Sequence, residues 1–282
     1  MRLTSLYRSP LPTRFASWWA WFATLLVFFS TWASHGLDGG IRGAAAVFFA
    51  WAIVRELAPN RPLPSLYAPF AAVAFAIPEH TDILACGGAL VLARIASRTT
   101  GAKLTWLDYL VLVPFAGWVA TKPVGLPVAL VLAAVIFVEE RRWRARLFGI
   151  ATLATVLAVG STEGTLTMRG GWDDPSDPKL VLMAILVLGA IRLVLTRLPV
   201  LVRVRDDRQL DWLRGANIRV ARIAVVAALG ASVVWVGTDS PFHLSAVSAA
   251  VVAVGLGGVK LRVRRNPAVH APATEPLQPS AA

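Results

Sequence analysis

The sequence predicts an all-α fold, a polytopic membrane bundle of about ten transmembrane helices with N- and C-termini cytoplasmic, and three observations predict it. First, 56% of the 282 residues are hydrophobic, only 16% are charged and the mean hydropathy is +0.63, a balance outside the usual range of soluble domains. Second, the apolar residues fall in runs divided by short charged or Pro/Gly-rich stretches. Third, the basic residues alternate in position across those runs, as expected when positively charged loops are retained in the cytoplasm. At about 20 residues per span, ten spans use about 200 residues and leave only termini and short connections. Functions that need a separate soluble module, such as a Rossmann or P-loop domain, are thereby excluded. Chemistry must sit between helices or in short loops.

The spans follow in order. The first runs from Phe15 to Ala33. Arg2, Arg8 and Arg14 precede it, and Thr31-Trp32-Ala33 resembles a poor signal-peptide cleavage site. Its bulky aromatics (Trp18, Trp19, Trp21, Phe22, Phe28, Phe29) favour a retained anchor. The second covers Ile41 to Val54. The third, Leu63 to Ile77, and the fourth, Thr81 to Ala96, are divided only by Pro78-Glu79-His80. Then come Leu104 to Ala120, Val124 to Val138, Leu147 to Gly160, Leu180 to Leu195, Val220 to Gly237 and His243 to Val259. Residues 1–14 form a cytoplasmic N-terminal segment and 15–260 the bundle. The tail, 261–282, is basic and then Pro-rich, with too few apolar side chains to fold.

With the N-terminus inside, 24 of the 28 Lys and Arg fall on the cytoplasmic side, and only Arg42, Lys122, Arg169 and Lys179 fall outside. The outer side carries eight acids against those four bases: Asp38, Glu79, Asp82, Glu163, Asp173, Asp174, Asp177 and Asp239. A miscounted span would scramble this separation. Membrane topology therefore explains the net charge of +12 and the pI near 11.2. A nucleic-acid partner is not expected, since the bases punctuate apolar segments instead of forming a solvent-facing patch.

Small residues predict packing. Ser245, Ala249, Ala253 and Gly257 recur every four residues, with Ala246, Ala250 and Gly258 alongside, a stripe that admits another helix backbone. Gly87 and Gly88, and Ala224, Ala228 and Ser232, read the same way. Trp51, Trp106, Trp118, Trp143 and Trp235 lie near span ends and read as headgroup anchors. Cys86 is the only cysteine, so neither an internal disulfide nor a thiolate metal cluster forms.

Candidate chemistry concentrates at the outer ends. His35, His80 and His243 fall there with Asp38, Glu79, Asp82 and Asp239. Such groups, brought together, would bind a divalent cation, relay protons or act as acid and base, although polar turns alone also account for them. Within Pro78-Glu79-His80-Thr81-Asp82, Asp82 is placed to cap the following helix while Glu79 and His80 stay free to face a cavity. No H-E-x-x-H or D-D-x-x-D spacing is present, so the sequence names no metal site, and it implies no cofactor. Asp108, about one turn inside its span, is either a structural ion-pair partner or a proton- or cation-coupling site. Arg192 near an inner end is expected to snorkel. Gly170 to Pro178 reads as a turn-rich outer lid containing Trp172. Between Leu198 and Arg219, the residues Arg203, Arg205, Arg208, Trp212 and Arg214 suggest a short amphipathic interfacial helix that meets anionic lipid or docks a cytoplasmic partner protein. The Glu139-to-Arg144 cluster would join that surface or enforce topology.

Three functions fit this layout in the cell (inner) membrane. The first is a small-solute transporter or permease subunit, with Asp108, Glu79, His80, Asp82 and His243 as substrate or coupling residues. The second is an integral enzyme acting on a lipid-linked substrate at the outer face. The third is a non-catalytic subunit whose Arg-rich inner loops dock partners.

Overall fold

A computed structural model describes residues 15–59, 61–76, 81–98, 104–139, 143–167, 177–196, 201–205 and 212–257. Ten helices occur among them: α1 (Phe15–Leu57), α2 (Pro62–Ala76), α3 (Ile83–Ser97), α4 (Trp106–Ala120), α5 (Gly125–Glu139), α6 (Trp143–Thr162), α7 (Asp177–Leu195), α8 (Gly215–Val236), the single turn α9 (Ser240–His243) and α10 (Ser245–Leu256). The tail and the N-terminal segment lie outside the described residues.

The helix α1 is two helices. Gly36 breaks it at φ 73° and ψ −174°, a conformation open to glycine and strained for other residues. The arms fold back on each other: the Trp21 and Phe48 rings lie 5.7 Å apart, where a continuous helix would hold them about 40 Å apart. The expected first and second spans fall on these two arms. Helix starts follow local chemistry. Asp82 caps α3, its Oδ1 accepting the Ala85 N–H at 2.9 Å, as its position in the sequence predicted. Thr105 caps α4. Pro62 opens α2, where a missing N–H costs nothing.

One expectation is corrected. Between α7 and α8 the chain forms an antiparallel β-hairpin, β1 (Leu201–Arg205) and β2 (Trp212–Arg214), with Leu201 opposite Arg214 and Val202 opposite Leu213. The amphipathic helix expected over Leu198 to Arg219 is absent from these strands, and helix begins only at Gly215. The reason is visible in Val202-Arg203-Val204-Arg205, which alternates with period two and carries β-branched residues, the pattern of a strand. Arg203, Arg205, Trp212 and Arg214 therefore sit on strands, and Arg208 lies outside the described residues.

Packing uses small residues where helices approach closely and larger ones, such as Phe75, Phe242 and Leu92, to fill the core between them. The helix α10 is buried along most of its length, Ser245, Ala249 and Ala253 included, and is surrounded by α1, α2 and α7. A second group joins α3 to α5 and α8, with α4 and α6 against α5. The helices α7 and α10 approach closely: a Cβ built on Gly255 would lie 2.1 Å from the Gly189 carbonyl oxygen. The outer faces are apolar: Trp18, Phe22, Leu25, Phe29 and Trp32 form an exposed stripe on the first arm of α1, and Leu180, Leu188 and Ile191 one on α7. Soluble proteins rarely expose so much contiguous apolar surface. Four helical stretches, Trp18–Leu57, Ala145–Thr162, Pro178–Leu195 and Gly215–Val236, are long and apolar enough to cross a membrane, and five further apolar helices are shorter.

The tryptophans divide. Trp106, Trp118 and Trp143 are exposed near helix ends, as headgroup anchors would be. Trp51 is instead a core residue, 2% exposed, and the Trp235 indole donates inward to the Thr165 carbonyl at 2.9 Å.

Substituting Gly255→Leu is expected to force α7 and α10 apart and lower stability by on the order of 2 kcal/mol, read as a lower Tm in mild detergent. Gly230→Leu, with nothing within 4 Å of its Cβ position, should leave the Tm unchanged.

Candidate functional site

The helices run up and down between two ends of opposite character. One end gathers the C-termini of α1 and α3 and the start of α8, because Arg222 on α8 reaches Leu57 and Arg94 on α3 reaches Glu56. Its described charges are mostly arginine: Arg55, Arg61, Arg94, Arg98, Arg219 and Arg222 against Glu56 and Asp108. The opposite end holds the Gly36 turn, Asp82, Glu163, Asp239 and His243, and its described bases are Arg42, Lys122 and Lys179.

At the acidic end the structure brings some predicted residues together. The Asp82 N–H donates to the His243 carbonyl oxygen at 2.8 Å, and the Cys86 thiol points at the same oxygen from 3.9 Å. Thr81 and Ser245 share a buried hydroxyl–hydroxyl bond of 2.7 Å. Asp239, counted among the candidate acids, pairs with Lys179 at 2.7 Å, and that ammonium lies 5.3 Å from the Phe242 ring centroid. Asp38 pairs with Arg42 at 2.7 Å on the exposed first turn, where His35 contacts Ser34. Among the described residues, no three His, Cys, Asp or Glu side chains gather as a metal-binding group. Glu79, His80, Trp172, Asp173 and Asp174 lie outside the described residues.

The same end is closed by hydroxyls that bond to helix carbonyls. Ser240 donates to Ser232 at 2.8 Å, Ser248 to Pro241 at 2.7 Å, Ser232 to Ala228 at 2.9 Å and Thr165 to Ala120 at 3.0 Å. Each of these four hydroxyls is buried and bonded, the condition under which polar atoms are tolerated in an apolar interior.

Asp108 sits at the basic end, 2% exposed, as the third residue of α4. Its Oδ2 accepts the Thr105 backbone N–H at 2.7 Å and the Thr105 hydroxyl at 2.8 Å, while Thr105 Oγ1 accepts the Asp108 N–H at 3.3 Å. This reciprocal arrangement is a capping box, and it gives the carboxylate a structural task that the sequence reading did not assign.

Two buried charged groups escaped the sequence reading. Glu56, 1% exposed, accepts from Arg94 Nε at 3.3 Å and from the Ser97 hydroxyl at 3.3 Å. It was missed because the second span was ended at Val54, whereas helix continues to Leu57. Arg222 is also 1% exposed. Its Nε donates to the Leu57 carbonyl at 3.0 Å, its Nη1 has no partner, and no described carboxylate pairs with it. The nearby charge that bears on it is another cation, Arg61. The sequence did carry a signal. Arg222 follows Ile218 by four residues and precedes Val225 by three, and both neighbours lie on the buried face of α8.

Chemically, the basic end can hold an anion. A guanidinium with a free N–H, taken out of water and lacking a carboxylate, is costly unless a negative group completes it. A carboxylate or phosphate matches its planar donor set. Compared with known protein families, curated proteins and solved structures, the chain matches none of them.

Removing Glu56 should leave Arg94 without its buried partner. Glu56→Ala is expected to destabilise the protein by about 3 kcal/mol, and adding Arg94→Met should recover part of that loss in the same melting assay. Thr105→Ala, which opens the α4 cap, should cost about 1 kcal/mol.

Proposed function

We propose that the chain is a multi-pass protein of the cell inner membrane that crosses the bilayer ten times, with both termini cytoplasmic, and carries a small anionic solute between its helices. The single observation behind the solute class is Arg222, buried, with an N–H that has no partner and, among the described residues, no carboxylate to neutralise it. Ionisable groups inside membrane bundles usually mark substrate or ion pathways. Arg222 would contact the anion, Arg61 would raise the local positive potential, and the Glu56–Arg94 pair would hold the wall of the path.

The ten-span count rests on the two arms of α1 together with α2 to α8 and α10. Orientation rests on the contrast between a basic and an acidic end. Helices of 15 residues such as α2 to α5 are about 22 Å long, short of a hydrocarbon core of about 30 Å. Flanking residues and local thinning of the bilayer accommodate them at modest cost. Glu79, His80, Asp82 and His243 remain in the proposal as the outer mouth, and Asp108 enters as the residue that fixes the start of α4.

Two measurements test this reading. Reporter fusions at either terminus should give cytoplasmic signals; a periplasmic signal from one of them would overturn the even span count. In proteoliposomes, inorganic phosphate and small carboxylates should elicit uptake currents, reduced at least about tenfold by Arg222→Gln and partly kept by Arg222→Lys. Currents driven by amine cations alone, unchanged in Arg222→Gln, would reject an anionic solute.

A further inference from the structure

A second surface lies on the opposite side of α8 from Arg222. Between α5 and α8 there is an open groove of about 370 Å³, lined by Val131, Val135, Val138 and the exposed Ala134 of α5 and by Val220, Ile223 and the buried Ala224 of α8. Its lining is almost wholly apolar. It reaches towards the basic end, since Val138 is in the last turn of α5 and Val220 in the second turn of α8. Its volume is within the range of small-molecule sites, about 300–1,000 Å³.

Charge appears at one end of the groove. Arg219 is exposed and stands one turn before Ile223, so the two residues share a face, separated by about 40° around the helix axis. Arg146, also exposed, lies in the second turn of α6, which packs against α5. A long apolar furrow with cationic groups at one end matches an amphiphile with an anionic head and a hydrocarbon tail. It does not match a second apolar helix, which would bring no counter-charge to that end.

We propose that this groove holds an acyl chain of an anionic phospholipid from the leaflet on the basic side, with the Arg219 guanidinium against its phosphate. The site requires the membrane setting of the chain but not solute transport, so either reading can fail while the other stands. A single phosphate contact by arginine suffices for preference, because each basic residue near an anionic lipid surface is worth about a fivefold change in partition.

The experiment uses the full chain in mild detergent, delipidated and then offered phosphatidylglycerol or phosphatidylcholine of identical acyl chains, with retention read by native mass spectrometry and stability by thermal shift. Phosphatidylglycerol should be retained about fivefold better than phosphatidylcholine. Arg219→Gln should abolish the preference while leaving phosphatidylcholine retention as in the wild type, which also reports that the variant is folded. Ala134→Trp, filling the groove from an exposed position, should reduce retention of both lipids. Equal retention of the two lipids by the wild type, or a preference surviving Arg219→Gln, would overturn the proposal. So would inorganic phosphate stabilising the protein as strongly as phosphatidylglycerol, which would mark a phosphate site without a tail. A detergent-stable dimer lost in Ala134→Trp would assign the groove to a second copy and reject the lipid.

Discussion

The close approach of helix backbones through small side chains is the constraint on which the rest of this bundle depends. Within lipid, burying a leucine against another helix gains little, because the acyl chains it leaves are equally apolar. Cohesion must then come from contact density and from hydrogen bonds made between helices. Gly189 against Gly255, and the alanines and serines along α10, supply the contact. Larger side chains such as Phe75, Phe242, Ile53 and Leu92 fill the space between those close contacts, and further large apolar residues form the exposed stripes on α1 and α7.

The same constraint explains the treatment of polar groups. Hydroxyls of Ser232, which reaches Val124, and of Ser240, Ser248 and Thr165 each donate to a carbonyl oxygen of another segment and so act as ties, sealing the acidic end. Asp82 and Asp108 are both bound as helix caps. Two carboxylates chosen as chemical candidates thus serve first as structural groups. The contrast with Arg222 is what singles it out: it has one carbonyl partner, a guanidinium N–H without another and, among the described residues, no carboxylate.

Much of the architecture was legible in the sequence. Apolar runs located the helices, and Asp82 was legible as a cap because its chemistry acts within three residues. The hairpin was misread because its charge pattern was weighed ahead of the period-two alternation in Val202 to Arg205. The capping role of Asp108 is also local, carried by Thr105 three residues earlier, but a carboxylate at that depth is equally compatible with ion pairing or coupling until its bonds are seen.

Sequence by itself determined that this chain forms apolar helices with bases concentrated at alternate connections, since composition, periodicity and charge placement act along the chain. Only the tertiary structure decided which glycines meet, that Glu56 is taken by Arg94, and that Arg222 turns inward with an unsatisfied N–H. Those outcomes depend on contacts between residues far apart in the chain, from Glu56 and Arg94 at a separation of 38 to Leu57 and Arg222 at 165. No local pattern specifies which helix face meets which, because in an apolar surrounding many pairings bury similar surface and only the fit of small residues and the pairing of polar atoms distinguish them.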